Sequence, residues 1–250
     1  MVPNEGRATL ISLLSRFDAF TGLDQDRLEW LASKCRTFVA KEGQEILSLK
    51  QLPDYVFCIV EGRGRVLHND PSLGRPVTLA YSQPGDLVGW ASLVRRDPCE
   101  LVTCSNQLKM LGFSSEIFYD LESSSDFFRN WLDSNNSPAE LISVLTRALS
   151  LRPSSVNDDR DVLRQLLPHM SLLPARDLRS LHDDPSFTYL WNVRHPDFDY
   201  LPGSEVDPNI LQQIPHGFPL RLIRINTEIW NSIISHDLSK VDTDEDLNTP

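Results

Sequence analysis

The residues best placed to do chemistry lie between Gln83 and Ser105. Pro84-Gly85-Asp86 has turn chemistry. Gly89 stands where a helix would begin and lets a ligand approach the backbone. Ala91 to Val94 suits a short helix, Asp97-Pro98 ends it, and Leu101-Val102-Thr103-Cys104 reads as a strand. A helix start facing a strand across a small gap offers free backbone N–H groups and the positive end of a dipole. The chemistry expected here is anion binding. The candidate pocket residues are Gly89, Trp90, Ala91 and Ser92 on the helix side and Pro98, Cys99, Glu100 and Leu101 on the strand side.

Other groupings are weaker. His182-Asp183-Asp184 and His195-Pro196-Asp197-Phe198-Asp199 have metal-ligand residue types. A zinc site needs three converging ligands on a rigid spacing, and the prolines place both segments in loops. No metal site is expected. The serines at Ser123-Ser124-Ser125 and Ser154-Ser155 lack a Gly-x-Ser-x-Gly elbow and read as caps and linkers. Cys35, Cys58, Cys99 and Cys104 show no paired metal spacing and read as reduced, buried thiols. No catalytic residue is assigned, and an enzyme or metalloprotein built on the Pro-rich tail is the less favoured class.

The elements that must position the stretch follow from periodicity. Leu10, Ile11, Leu13, Leu14 and Phe17 keep a helical period, and Asp24 or Thr21 can cap a second helix carrying Leu28, Trp30 and Leu31. The texture then changes to short strands with Gly turns: 36–40, 45–47, 54–60, 64–68, 77–81 and 108–113. That spacing predicts a small antiparallel barrel or roll. Trp30, Phe38, Phe57 and Phe118 fall at core spacings. Ser114 or Ser115 can cap a helix through Leu121, and Ser125–Leu132 and Ala139–Leu151 read as amphipathic helices, the latter behind the start signal Ser137-Pro138-Ala139-Glu140. Further on, Arg152–Ser155 reads as a linker, Asp159–Leu167 as a helix stopped by Pro168, and Asp177–Leu181 as one more turn. Phe187–Val193 and Leu220–Ile225 read as strands in a Pro-rich region, and Val241–Pro250 as a disordered acidic tail.

Bulk properties narrow the function. The 250 residues carry a net charge of -11, which opposes binding to a phosphate backbone, so no nucleic-acid partner is expected. No apolar run reaches the roughly 18–20 residues of a membrane span, and the polar opening Val2–Gly6 is no signal peptide. A cytoplasmic location follows as the expectation.

Gly43 before a strand, Tyr55-Val56-Phe57-Cys58-Ile59-Val60-Glu61-Gly62, Pro84-Gly85-Asp86-Leu87-Val88-Gly89 and a phenylalanine-bearing helix after the last strand together resemble a cyclic-nucleotide-binding domain over Leu10 to Leu132. The resemblance implies an α+β, mainly β fold: an antiparallel β-roll with flanking helices, holding a phosphate-binding cassette. A helical and Pro-rich C-terminal region follows it. The expected division is 1–134 for this domain, 135–236 for the C-terminal region and 237–250 for the tail. A second resemblance rests on Trp191-Asn192-Val193, Tyr200-Leu201-Pro202-Gly203-Ser204 and Phe218–Ile223. These are similar to the segment after such a domain in bacterial peptidase-type ABC exporters. It implies an exporter subunit or domain as partner and a place at the inner face of the membrane.

In nucleotide-binding members of the family, a glutamate after the glycine takes the ribose hydroxyl and an arginine before the next strand takes the phosphate. Here Gly89 matches the glycine, Trp90 stands in place of the glutamate, and Pro98, with Cys99 beside it, stands in place of the arginine. Glu100 adds a carboxylate that would oppose an anion. Loss of the arginine pair removes a charged hydrogen bond of about 1.5–3 kcal/mol. The expectation is a non-enzymatic regulatory or interaction module with impaired or altered nucleotide binding, Trp90 filling the emptied pocket. The alternative is a working sensor of a cyclic nucleotide or another small anion, with Trp90 stacking on a ring and Arg95 or Arg96 supplying charge. In either case the lever is the stretch from Ser115 to Leu132, with Phe118 against the pocket wall, and 137–167 docks a partner or a second copy. A transcription regulator is disfavoured by the acidic charge and by the lack of a helix-turn-helix pattern after the roll.

Overall fold

The computed structural model describes residues 4–70, 75–151, 162, 165–174, 184–194, 200–207 and 221–232. The chain divides into two compact units, Met1–His68 with Pro76–Glu140 and Asn69–Arg75 with Leu141–Pro250.

The first unit opens with α1 (Asn4–Leu14), a 3-10 turn (Asp18–Phe20) and α2 (Gln25–Lys34). Asp24 caps α2 by accepting the Arg27 N–H at 2.8 Å. The strands are β1 (Arg36–Ala40), β2 (Glu45–Leu47), β3 (Tyr55–Glu61), β4 (Gly64–Asp70), β5 (Arg75–Ser82), β6 (Leu87–Val88), β7 (Leu101–Cys104) and β8 (Leu108–Ser114). They form two four-stranded sheets, ordered β1-β8-β3-β6 and β2-β7-β4-β5. Every recorded register in them is antiparallel. With the flanking helices this is the α+β, mainly β roll that the sequence predicts.

The continuous apolar run of β3 has a simple cause. Val56 and Cys58 face the helices and join a core with Leu14, Phe20, Leu31 and Phe118. Phe57 and Ile59 face the other way and pack with Val66, Val102 and Met110. Successive strand side chains alternate between faces, so a strand covered on both sides is apolar throughout.

After β8 come α4 (Ser115–Ser124), α5 (Asp126–Ser134) and α6 (Pro138–Ser150). The expected lever from Ser115 to Leu132 is made of two helices, as the separate helical patterns before and after Ser125 predict. Ser125 leaves the helical region (φ -120, ψ 110) and accepts the Phe128 N–H, so it starts a second helix. Ser114 sits at the start of α4 without a side-chain cap bond.

In the second unit, β9 (Met170–Pro174), β10 (Phe187–Trp191) and β11 (Arg221–Asn226) form an antiparallel sheet ordered β10-β11-β9. Val144 and Leu145 of α6 pack with Ile223, Ile225 and Trp230. Residues 227–232 are helical. The strand β9 is not legible in the periodicity; it exists because β11 offers it a partner from Arg221 to Ile225. Trp191 and Tyr200 stack at 5.4 Å, and the Gly203 N–H donates to the Trp191 carbonyl. A side chain at Gly203 would meet the Ala148 backbone nitrogen at 2.8 Å. The Arg152–Ser155 linker, the turn at Asp177–Leu181, His182, Asp183, the His195–Asp199 group, Phe218–Leu220 and the acidic tail lie outside the described residues, as does most of the expected helix Asp159–Leu167.

Candidate functional site

The turn at Pro84-Gly85-Asp86 is pinned to β3: the Gly85 N–H donates to the Ile59 carbonyl and the Ile59 N–H to the Asp86 carbonyl. From there β6 delivers Gly89 at φ +93 to the start of α3 (Trp90–Arg95). A Cβ on Gly89 would lie 2.9 Å from the Tyr55 carbonyl, so close backbone approach and a left-handed φ both select glycine. Arg96, at φ 54, closes α3 with its N–H on the Leu93 carbonyl.

The helix start faces β7 as expected, but its donors are already engaged. Glu100 Oε1 accepts the Gly89 N–H at 3.0 Å, and Oε2 accepts the Ser92 N–H at 3.0 Å and the Ser92 hydroxyl at 3.1 Å. Ser92 Oγ in turn accepts the N–H groups of Cys99 and Glu100. The Glu100 carboxyl group thus occupies the helix-start donors that an anion would need. Glu100 is buried, and burial outweighs these donors and lifts its pKa above the ordinary 4.5.

Arg95 is also not where sequence reasoning places it. Its guanidinium, named with that of Arg96 as a source of charge for a ligand, is fully buried, with Nη2 at 3.7 Å from Asp97 Oδ2. Burial works against its charge, yet Cys99, Glu140 and Asp97 hold its pKa above the usual range. Glu140 itself accepts the Ser137 N–H in the first turn of α6. Arg95 is thus a structural counter-ion, and only Arg96 is exposed. The Cys99 thiol is pushed up to about 12 by burial, which leaves it protonated and unreactive.

Beside the cassette lies a cleft of about 340 Å³, lined by Asp18, Val66 of β4, Ala80 to Ser82 of β5, Asp86 to Val88, Trp90, Glu100, Trp131 and Asn135 to Pro138. Trp90 is 5% exposed and meets Trp131 edge-on at 5.1 Å, so its ring fills the space next to the cassette. Of the candidate residues, Trp90 and Glu100 line the cleft. Gly89, Ala91, Ser92, Cys99 and Leu101 are buried beside or beneath it, and Pro98 is half-buried in the loop. Phe118, expected against the pocket wall, is instead fully buried between Tyr119 and Phe128. Asp18, Ser82, Asp86 and Trp131 are cleft residues that sequence reasoning missed, because they come from separate elements and share no local motif. Among the described residues, no Lys, Arg or His lines the cleft, no cluster of three or more His, Cys, Asp or Glu could hold a metal, and no helix is long and apolar enough to cross a membrane.

No family model matches the chain, and no curated protein matches it. Solved structures do. One is the regulatory subunit of a cAMP-independent protein kinase A from Trypanosoma cruzi bound to guanosine, at 16% identity and TM-score 0.49 over 57% of this chain and 50% of that one. Another is the regulatory domain of Toxoplasma gondii PKA with cAMP, at 10% identity and TM-score 0.48 over 99% of both chains. A third is a cyclic nucleotide-binding-like protein from Brucella abortus, at 20% identity and TM-score 0.40 over 46% of this chain and 99% of that one. The chain spans about half the length of the trypanosomal subunit.

Proposed function

We propose that the first unit is a non-enzymatic regulatory module of the cyclic-nucleotide-binding type whose phosphate cradle is filled by its own carboxylate. The observation that carries this is Glu100 on the Gly89 and Ser92 donors. A phosphate entering the cassette would have to displace a buried, three-fold hydrogen-bonded carboxylate, with no cation among the described residues lining the cleft to receive it. Trp90 takes the place of the ribose-reading glutamate, and Arg95 is committed to Asp97. Titration calorimetry of the purified chain with cAMP and with cGMP is expected to give no saturable heat up to millimolar nucleotide. Micromolar binding of either one sinks the reading.

We further infer that the module serves an ABC exporter from the cytoplasmic face. The support is the likeness of Trp191–Val193, Tyr200–Ser204 and Phe218–Ile223 to the exporter segment, together with the stacking that joins the first two pieces. Docking through 137–167 to that partner or to a second copy belongs to this reading. The reading expects an exporter gene in frame with, or adjacent to, the gene for this chain; a neighbourhood without one overturns it.

A further inference from the structure

We propose that a second hollow of the first unit, where the end of α1 meets β3 and the Pro84-Gly85 turn, binds a small monocarboxylate with a compact apolar body. The hollow measures about 220 Å³ and shares only Gly85 with the cleft beside the cassette. Its place follows from the chain. After Leu14 the helix tightens: the Arg16 N–H donates to the Leu13 carbonyl and the Phe17 N–H to that of Leu14. Three residues per turn set Leu13 and Arg16 one above the other. Opposite them stand Val60 of β3 and the turn that the Gly85 N–H ties to the Ile59 carbonyl at 3.0 Å.

The lining divides into an apolar wall and one charge. Leu13 and Val60 are half-buried and Pro84 is exposed, so all three offer apolar surface, while the buried Phe17 and Ile59 back them. Arg16 is exposed and is the only charged residue in the lining; among the described residues its guanidinium is in no ion pair. A guanidinium fork matches a carboxylate through two parallel N–H bonds, and apolar surface beside it strengthens that pairing. Size selects the body: about 150 Å³ of apolar space takes a benzene ring, so 220 Å³ suits one ring or a short branched chain with its carboxylate at the rim. Such a ligand would touch the Pro84-Gly85 turn, which leads through β6 to Gly89. The proposal does not depend on how the cassette is read.

The test is calorimetry on the full chain with benzoate and hexanoate, beside the neutral isostere benzamide. Saturable one-to-one binding of a carboxylate, at least tenfold tighter than benzamide, is expected. Arg16→Gln alters an exposed side chain and should weaken the carboxylate about tenfold while leaving benzamide unchanged. Val60→Phe, its fold checked by circular dichroism, fills the hollow and should abolish binding of both. No saturable heat from either carboxylate at millimolar concentration overturns the proposal. Equal binding of benzoate and benzamide overturns the ligand class, and carboxylate binding unchanged by Arg16→Gln overturns the assignment to this hollow.

Discussion

Glu100→Ala is expected to lower the unfolding free energy by about 2–4 kcal/mol, because the buried N–H groups of Gly89 and Ser92 both lose their acceptor. The Ser92 hydroxyl can rotate to another partner; the two backbone N–H groups cannot. Glu100→Gln keeps one acceptor oxygen and should lose less than the alanine variant. Urea unfolding followed by tryptophan fluorescence measures both, since Trp90 begins the helix that Glu100 holds. The pH dependence has a defined sign. The folded-state pKa of Glu100 is raised, so the folded chain holds this proton more tightly than the unfolded one. Its contribution to stability is full below the ordinary 4.5 and is lost as pH rises through the raised value. Glu100→Ala should remove that part of the slope. An alanine variant as stable as the parent would mean that the helix start does not depend on the carboxylate.

Phe128→Ala is expected to cost more, about 3–5 kcal/mol, with the melting transition of the first unit falling by about 10 °C. Phe128 is fully buried on α5, stacked on Phe20 at 6.0 Å and edge-on to Phe118 at 5.7 Å. It also lies parallel to Trp131 at 6.1 Å. One ring therefore ties the 3-10 turn, α4 and α5 together. Removing it leaves a cavity bounded by three elements with little freedom to collapse. Phe128→Leu, which refills most of the volume, should recover the larger part. Differential scanning calorimetry on the parent and both variants reads the series. A loss below about 1 kcal/mol for the alanine variant would contradict the packing of α5 onto the helical core.

The positions of α4 and α5 decide which side chains reach the cleft. The sequence pattern suggests a lever spanning Ser115 to Leu132, in two helical stretches, with Phe118 at the pocket. The break at Ser125 gives two helices, and the side chain that α5 contributes to the cleft is Trp131, not Phe118. A ligand in the cleft would thus bear directly on α5, while Phe118 serves the interior.

The first half of the fold was legible because it is written in local chemistry. Pro84-Gly85-Asp86 makes a turn wherever it is placed, Gly89 marks a left-handed backbone, and an apolar β3 requires cover on both faces. The strand expected at Leu101–Cys104 is the strand observed, and the short helix expected at Ala91–Val94 lies within α3. These features depend on φ/ψ preference and alternation, which short windows of sequence contain. The Arg95 expectation failed for the converse reason. Periodicity over six helical residues does not say which face of α3 the rest of the chain covers, and Asp97 together with Glu140 from α6 makes burial of the guanidinium tolerable.

The sequence by itself determined the turn at Pro84-Gly85-Asp86, the glycine that opens the short helix and the strand that follows it. Only the tertiary structure decided what the backbone donors do. Glu100 is eleven residues from Gly89 and eight from Ser92, and no local rule joins them. The return of β7 past α3 brings the carboxylate to the helix start, where burial makes unmatched N–H groups costly and so selects an acceptor from within the chain.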